Sequence, residues 1–190
     1  MTEPDYGKYY DLEGYLFGEV SERFRRDKHL SAFDFFCIVI WKANRSKSKV
    51  ARRLLARAES DLESAVRALT AEIEAAIDPK RRLAVLIEGW GFRLPMASAI
   101  LSVLYPDDFT VYDVRVCGVL GDFAGAQYKK FADLWPRYQE YIERVRSEVS
   151  DGATLRAKDR YLWGKSFESQ LKSDIRMGFG TGVDDSELEA

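Results

Sequence analysis

The residues of this sequence whose types and spacing could do chemistry lie mainly between Leu86 and Val116. Gly89 and Gly91 stand one residue apart, between two apolar runs. Glycine accepts positive φ. Without a Cβ in the way, the N–H groups of such a turn and the N-terminus of the following helix can approach a phosphate closely. The same pair also fits an ordinary connection between helices, with Gly89 as the C-cap. Asp113 sits where a new helix opens, a position at which aspartate is a favoured N-cap. Two lysines lie beside apolar residues: Lys42, just after Trp41, and Lys165, just after Trp163-Gly164. A lysine in such surroundings either titrates low and acts as an amine nucleophile or lays its stem on apolar surface with the ammonium in water. Cys37 and Cys117 each sit in an apolar stretch, and His29 is the only histidine. These are too few ligands for a zinc or iron–sulfur site, so no metal and no cofactor is expected.

The elements that must position these groups are helical. Leu12, Tyr15, Leu16, Val20 and Phe24 form one stripe at helical spacing. Ser31 with Asp34 predicts a capped start, and Phe33 to Trp41 is apolar on every side, which predicts a central buried helix. A break over Asn44 to Ser48 leads to a short basic helix with Val50, Leu54 and Leu55. Ser60 and Glu63 read as a capping box for a helix with Leu62, Val66, Leu69, Ile73 and Ile77 inside. Asp78-Pro79 ends it and opens the next helix, with proline at the first helical position.

Beyond the Gly89-Trp90-Gly91 turn the pattern predicts an apolar helix from Pro95 to Leu104, a loop, an extended piece over Phe109 to Tyr112, and a helix opened by Asp113. Tyr128, Phe131, Leu134, Trp135, Tyr138, Tyr141, Ile142 and Val145 then repeat at three and four, with Pro136 bending or restarting that helix. Thr154 caps a last helix with Tyr161, Leu162, Trp163 and Phe167. With no βαβ alternation the expected class is all-α. One compact helical domain is expected over residues 1–175, either undivided or as two lobes with a cleft near 86–116, followed by a flexible acidic tail over 176–190.

Composition bounds the function. Apolar residues make up 46% and charged residues 32%, enough for a core and too many apolar groups for a disordered chain. No apolar run approaches a membrane span, the N-terminus is polar and acidic, and two isolated cysteines suit a reducing cytoplasm. The net charge of −2 hides an asymmetry. Ser21 to Arg53 holds ten basic residues against three acidic ones, while Asp184, Asp185, Glu187 and Glu189 crowd the tail. A basic face of that kind is either solvated helix surface or the footprint of a nucleic acid.

The ordered set Gly89, Gly91, Ala97 and Asp113, with the aspartate sixteen residues past the alanine, resembles the helix-hairpin-helix DNA glycosylase superfamily, the group of endonuclease III-like, adenine and 8-oxoguanine glycosylases. The resemblance implies a helical bundle of about eight to ten helices, a duplex gripped through the hairpin and a catalytic aspartate at the position of Asp113. There are three departures. Between Gly91 and Ala97 this chain has two more residues than the family pattern, and Pro95 stands where bifunctional members carry a lysine. Arg115 takes the place of a common histidine.

The resemblance implies an enzyme of base excision repair acting on DNA, with the departures pointing to a monofunctional one, to a lysine borrowed from elsewhere or to no catalysis; a monomer is expected. Cleaving an N-glycosidic bond builds positive charge on the sugar, which the Asp113 carboxylate would stabilise, while the flipped base needs an aromatic-lined pocket. Gly89, Trp90, Gly91, Phe92 and Arg93, with Lys47 and Lys49, are the candidate DNA contacts. Trp41, Lys42 and Tyr112, together with Phe35, Trp90 and Trp163, are candidates for the base pocket. Lys165 is the candidate for a borrowed amine. The rival reading is a DNA-binding or interaction protein that keeps the fold without the chemistry.

Overall fold

The computed structural model describes residues 5–58, 61–121, 123–148 and 153–179. Among them every regular element is helical, so the fold is all-α. The chain divides into two compact units, residues 1–106 and 107–190. Ser60 of the expected capping box, and Gly180, Gly182 and the acidic residues of the tail, lie outside the described residues.

In the first unit, α1 (Leu12–Tyr15) runs through a π-helical turn into α2 (Ser21–Asp27). Tyr15, Leu16, Val20 and Phe24 are all buried, so the first predicted stripe is the inner face. Lys28, in the left-handed conformation at φ 62°, ends α2. The Ser31 hydroxyl caps α3 (Ala32–Ala43) by accepting from the Asp34 N–H. Phe35, Ile38 and Val39 of α3 are fully buried. Phe33, however, is 58% exposed and Ile40 37%, so α3 is central on one side only and the expectation of an all-round buried helix is corrected. A run of apolar residues specifies burial without saying how many neighbours the fold has to offer. α4 (Lys47–Ala58) buries Val50 and Leu54, and α5 (Leu62–Ala75) buries Val66, Leu69 and Ile73.

Two boundary readings are also corrected. Asp61 caps α5, accepting from the Ser64 N–H, while Glu63 reaches across to the Ala32 N–H at 2.8 Å. α5 ends at Ala75, which leaves Ile77 76% exposed in the link to α6 rather than on the inner face. Asp78 caps α6 (Pro79–Ala84) with Pro79 at its first position, as its fixed φ and missing N–H favour. α7 (Leu94–Leu104) packs on α3 and buries nine of its eleven residues.

The second unit opens with Phe109 to Tyr112 in no regular element, then α8 (Val114–Leu120), α9 (Phe131–Glu148) and α10 (Leu155–Arg176). Tyr128 lies in a 3-10 turn ahead of α9 and is 75% exposed, so it does not belong to the buried face of that helix. α9 continues through Pro136 without restarting. Both α8 and α9 pack on α10. The Thr154 cap is as expected, its hydroxyl accepting from the Ala157 N–H. Of the apolar residues expected inside α10, Leu162 is buried, whereas Tyr161, Trp163 and Phe167 are exposed.

Candidate functional site: a hairpin turn and a capped aspartate

The chemistry-bearing residues of the first unit gather around Gly91. α6 widens into a π-helical turn over Val85–Gly89, a distortion often found at functional positions. The Trp90 N–H donates to the Val85 carbonyl at 2.8 Å and the Phe92 N–H to the Leu86 carbonyl at 2.9 Å, closing the turn over the end of the helix. Gly91, at φ +69°, makes the reversal possible, and it is the second glycine alone that adopts this conformation. A Cβ on Gly89 would meet no neighbour closer than 3.9 Å, so that position does not demand glycine. Arg93 precedes α7 as its N-cap residue and supplies no side-chain cap. Pro95 has no N–H and the Met96 N–H donates to the Arg93 carbonyl at 3.1 Å, so the first turn of α7 offers few N–H groups to an anion.

The side chains of the hairpin divide their labour. Arg93 is exposed, whereas Trp90 is 4% exposed and Phe92 2%. These two rings belong to the core of the unit, and the Trp90 Nε1–H donates to Glu72 at 2.9 Å. What they present outward is a seat for cations. The Arg53 guanidinium lies over Phe92 at 5.4 Å, and that of Arg57 over Trp90 at 5.0 Å. Neither arginine was singled out from the sequence. The available signal was their spacing of four on a basic helix, which puts both on one face. Lys47 and Lys49 are exposed on the same helix, Lys47 donating to the Asn44 side chain at 2.8 Å.

Of the proposed pocket residues in this unit, Phe35 is fully buried, in edge-to-face contact with Phe36 and Phe92. Trp41 is half-buried against Phe17, and Lys42 beside it is half-buried too. They lie on α3 as parts of its packing.

In the second unit Asp113 is half-buried at the N-cap of α8, where one carboxylate oxygen accepts from the Arg115 N–H at 3.0 Å. The segment leading to it is held by tyrosines. Tyr138 Oη donates to the Thr110 carbonyl at 2.5 Å and Tyr141 Oη to the Val111 carbonyl at 3.0 Å. Tyr112 is fully buried, its hydroxyl donating to the Phe123 carbonyl, and therefore serves as a brace rather than a pocket wall. Burial pushes the Tyr141 phenol well above its usual range, with the buried Asp159 carboxylate adding to the shift. Burial likewise raises Tyr112. Both hydroxyls stay protonated donors at neutral pH.

An exposed aromatic surface accompanies Asp113. Trp163 and Phe167 stack at 5.5 Å with their planes 6° apart. The Arg115 guanidinium lies 5.6 Å above Trp163 and donates to Gln170 Oε1 at 2.6 Å. A guanidinium of α8 resting on exposed rings of α10 forms a surface against which a planar group can stack, with Arg115 two residues past the Asp113 cap. Lys165, the candidate amine, is exposed on α10, so its surroundings supply no apolar enclosure that would activate it. Among the described residues no group of three or more His, Cys, Asp or Glu side chains gathers as a metal site requires, and no helix is long and apolar enough to cross a membrane.

Compared with family models, curated proteins and solved structures, this chain matches none of them.

Proposed function

We propose that the protein is a DNA glycosylase-like enzyme that binds duplex DNA through the hairpin around Gly91 and hydrolyses the N-glycosidic bond of a flipped base with Asp113. One observation carries the reading. The half-buried Asp113 carboxylate stands at a helix start, at the end of a segment whose carbonyls at Thr110 and Val111 are held by Tyr138 and Tyr141. A carboxylate held in that way stabilises an oxocarbenium-like sugar without having to reorganise when the charge develops. The exposed Trp163–Phe167 pair suits stacking with an extruded base.

Pro95 in the first turn of α7 offers no amine where a bifunctional enzyme would have one, so the reaction is simple hydrolysis. Water adds to C1′ as the base leaves, and an intact abasic site remains. Two free, buried cysteines fit a reducing compartment and hence the cytoplasm.

The test is incubation with duplexes each carrying one modified base, followed by alkaline cleavage of abasic sites. Base release is expected, with no adduct trapped by borohydride because no imine forms. Asparagine also caps helices, so Asp113→Asn keeps the fold. It lowers the rate about a hundredfold or more, on the order of 3 kcal/mol of lost transition-state stabilisation. Duplex binding without base release from any substrate would favour the non-catalytic rival, whereas a trapped adduct would reveal an amine and send attention to Lys165.

A further inference from the structure

α4 carries five basic residues, Lys47, Lys49, Arg52, Arg53 and Arg57, and no acidic one. Within this set Arg53 and Arg57 differ from the rest. They stand one helical turn apart on one face, and each guanidinium rests on an aromatic ring of the hairpin, Phe92 or Trp90. Because both rings are almost completely buried, the seats are rigid. Arginine is stiffened by such stacking, so less side-chain freedom remains to be lost when it binds. Arg53 Nε lies 4.0 Å from where a Cβ would sit on Gly91, which puts the guanidinium beside the turn.

Among the described residues neither guanidinium has a carboxylate within ion-pair distance. By contrast Arg23, Arg26, Arg81, Arg137, Arg146 and Arg156 are all paired. Glu72, the carboxylate that reaches Trp90, is engaged by the indole N–H.

We infer that Arg53 and Arg57, seated on Phe92 and Trp90, form a two-pronged site for the phosphodiester groups of a DNA duplex. The site rests on the DNA-binding reading above, and extends the contact from the hairpin backbone to α4. Its chemistry is that of guanidinium with phosphate: a planar fork matching two oxygens, with the charge held ready by the ring beneath. The contact is with backbone, so it contributes affinity independent of sequence.

The probe is a short unmodified duplex carrying a fluorophore, with binding followed by anisotropy between about 50 and 200 mM salt. In the Arg53→Ala/Arg57→Ala double variant affinity falls tenfold or more at the low-salt end. The slope of log affinity against log salt also flattens by about two, close to one per lost phosphate contact. Arg53→Lys/Arg57→Lys restores most of the slope but not the full affinity, since an ammonium lacks the planar fork. Arg26→Ala removes one such charge from α2 and leaves the slope unchanged.

An alanine double variant that is folded, judged by its melting curve, yet binds as wild type overturns the site and leaves the hairpin reading standing. A loss no greater than that of Arg26→Ala also overturns it, because it reports net charge alone. If the wild-type chain binds no duplex, or binds anionic phospholipid vesicles instead, the DNA reading fails and the site with it.

Discussion

Tyr141 and Val111 are joined across the second unit: the buried phenol on α9 donates to the Val111 carbonyl at 3.0 Å, two residues before the Asp113 cap of α8. One fully buried side chain thus braces the segment that leads into α8. A segment outside the helices has no helical partners for its carbonyls, and buried carbonyls must find them elsewhere. Here α9 supplies two, from Tyr138 and Tyr141.

Tyr141→Phe removes the donor and leaves the Val111 carbonyl without it, at a cost of about 1–3 kcal/mol. Urea unfolding measures the loss. A midpoint equal to wild type would contradict the brace.

The two glycines of the hairpin separate in the same kind of measurement. Gly91→Ala forces an L-residue to φ +69°, costing roughly 1–2 kcal/mol, with no steric clash because Arg53 Nε at 4.0 Å is the nearest atom. Gly91→Asn costs less, since asparagine tolerates that region. Gly89→Ala is neutral or slightly stabilising, as it enters open space at the end of a helical turn. Equal losses at both positions would mean that the turn is closed in some other way.

Asp34 anchors the first helices to α3. It is buried, accepts from Tyr15 Oη at 2.7 Å and pairs with Arg23 Nε at 3.2 Å. Asp34→Ala leaves the tyrosine hydroxyl and a partly exposed guanidinium without their acceptor, and is expected to cost about 3 kcal/mol. Asp34→Asn retains an acceptor for Tyr15 and costs less. Denaturant midpoints decide between a substantial network and a decorative one.

Stability should decline on the alkaline side. Tyr15, Tyr112 and Tyr141 are all raised from the ordinary phenol value, in each case chiefly by burial. In the unfolded chain these phenols ionise near pH 10, while in the folded protein they keep their protons. The folded state therefore binds more protons, and stability that is complete below about pH 10 is lost as the pH rises through it. Cys37, also raised by burial, starts the same loss somewhat earlier. Urea midpoints from roughly pH 8 to 11 trace the decline, which is shallower in Tyr141→Phe. A flat profile would contradict the burial of these hydroxyls.

Local rules were enough to read the helices and many of their ends. Ser31, Asp78, Asp113 and Thr154 cap the helices that their types and positions announce, and Pro79 opens α6, because capping depends on a few consecutive residues. The buried stripes of α2, α4 and α5 follow for a similar reason: helical spacing alone brings those residues to one side. Where the reading failed, the deciding partner lay far along the chain. Phe33 and Ile40 are as apolar as Phe35 and Ile38, yet which pair is covered depends on where α7 and α5 dock.

The site divides along the same line. The spacing of Gly89, Gly91, Ala97 and Asp113 is visible in one dimension, and so is the capping role of the aspartate. That the second glycine of the pair carries the positive φ, that Trp90 and Phe92 turn inward as seats for Arg57 and Arg53, and that Tyr141 braces the segment before Asp113 came from folding. The seats and the brace need residues 30 or more positions apart to meet in space. Such pairings are selected by how whole helices bury their apolar faces, a choice that the pattern of any single helix does not contain.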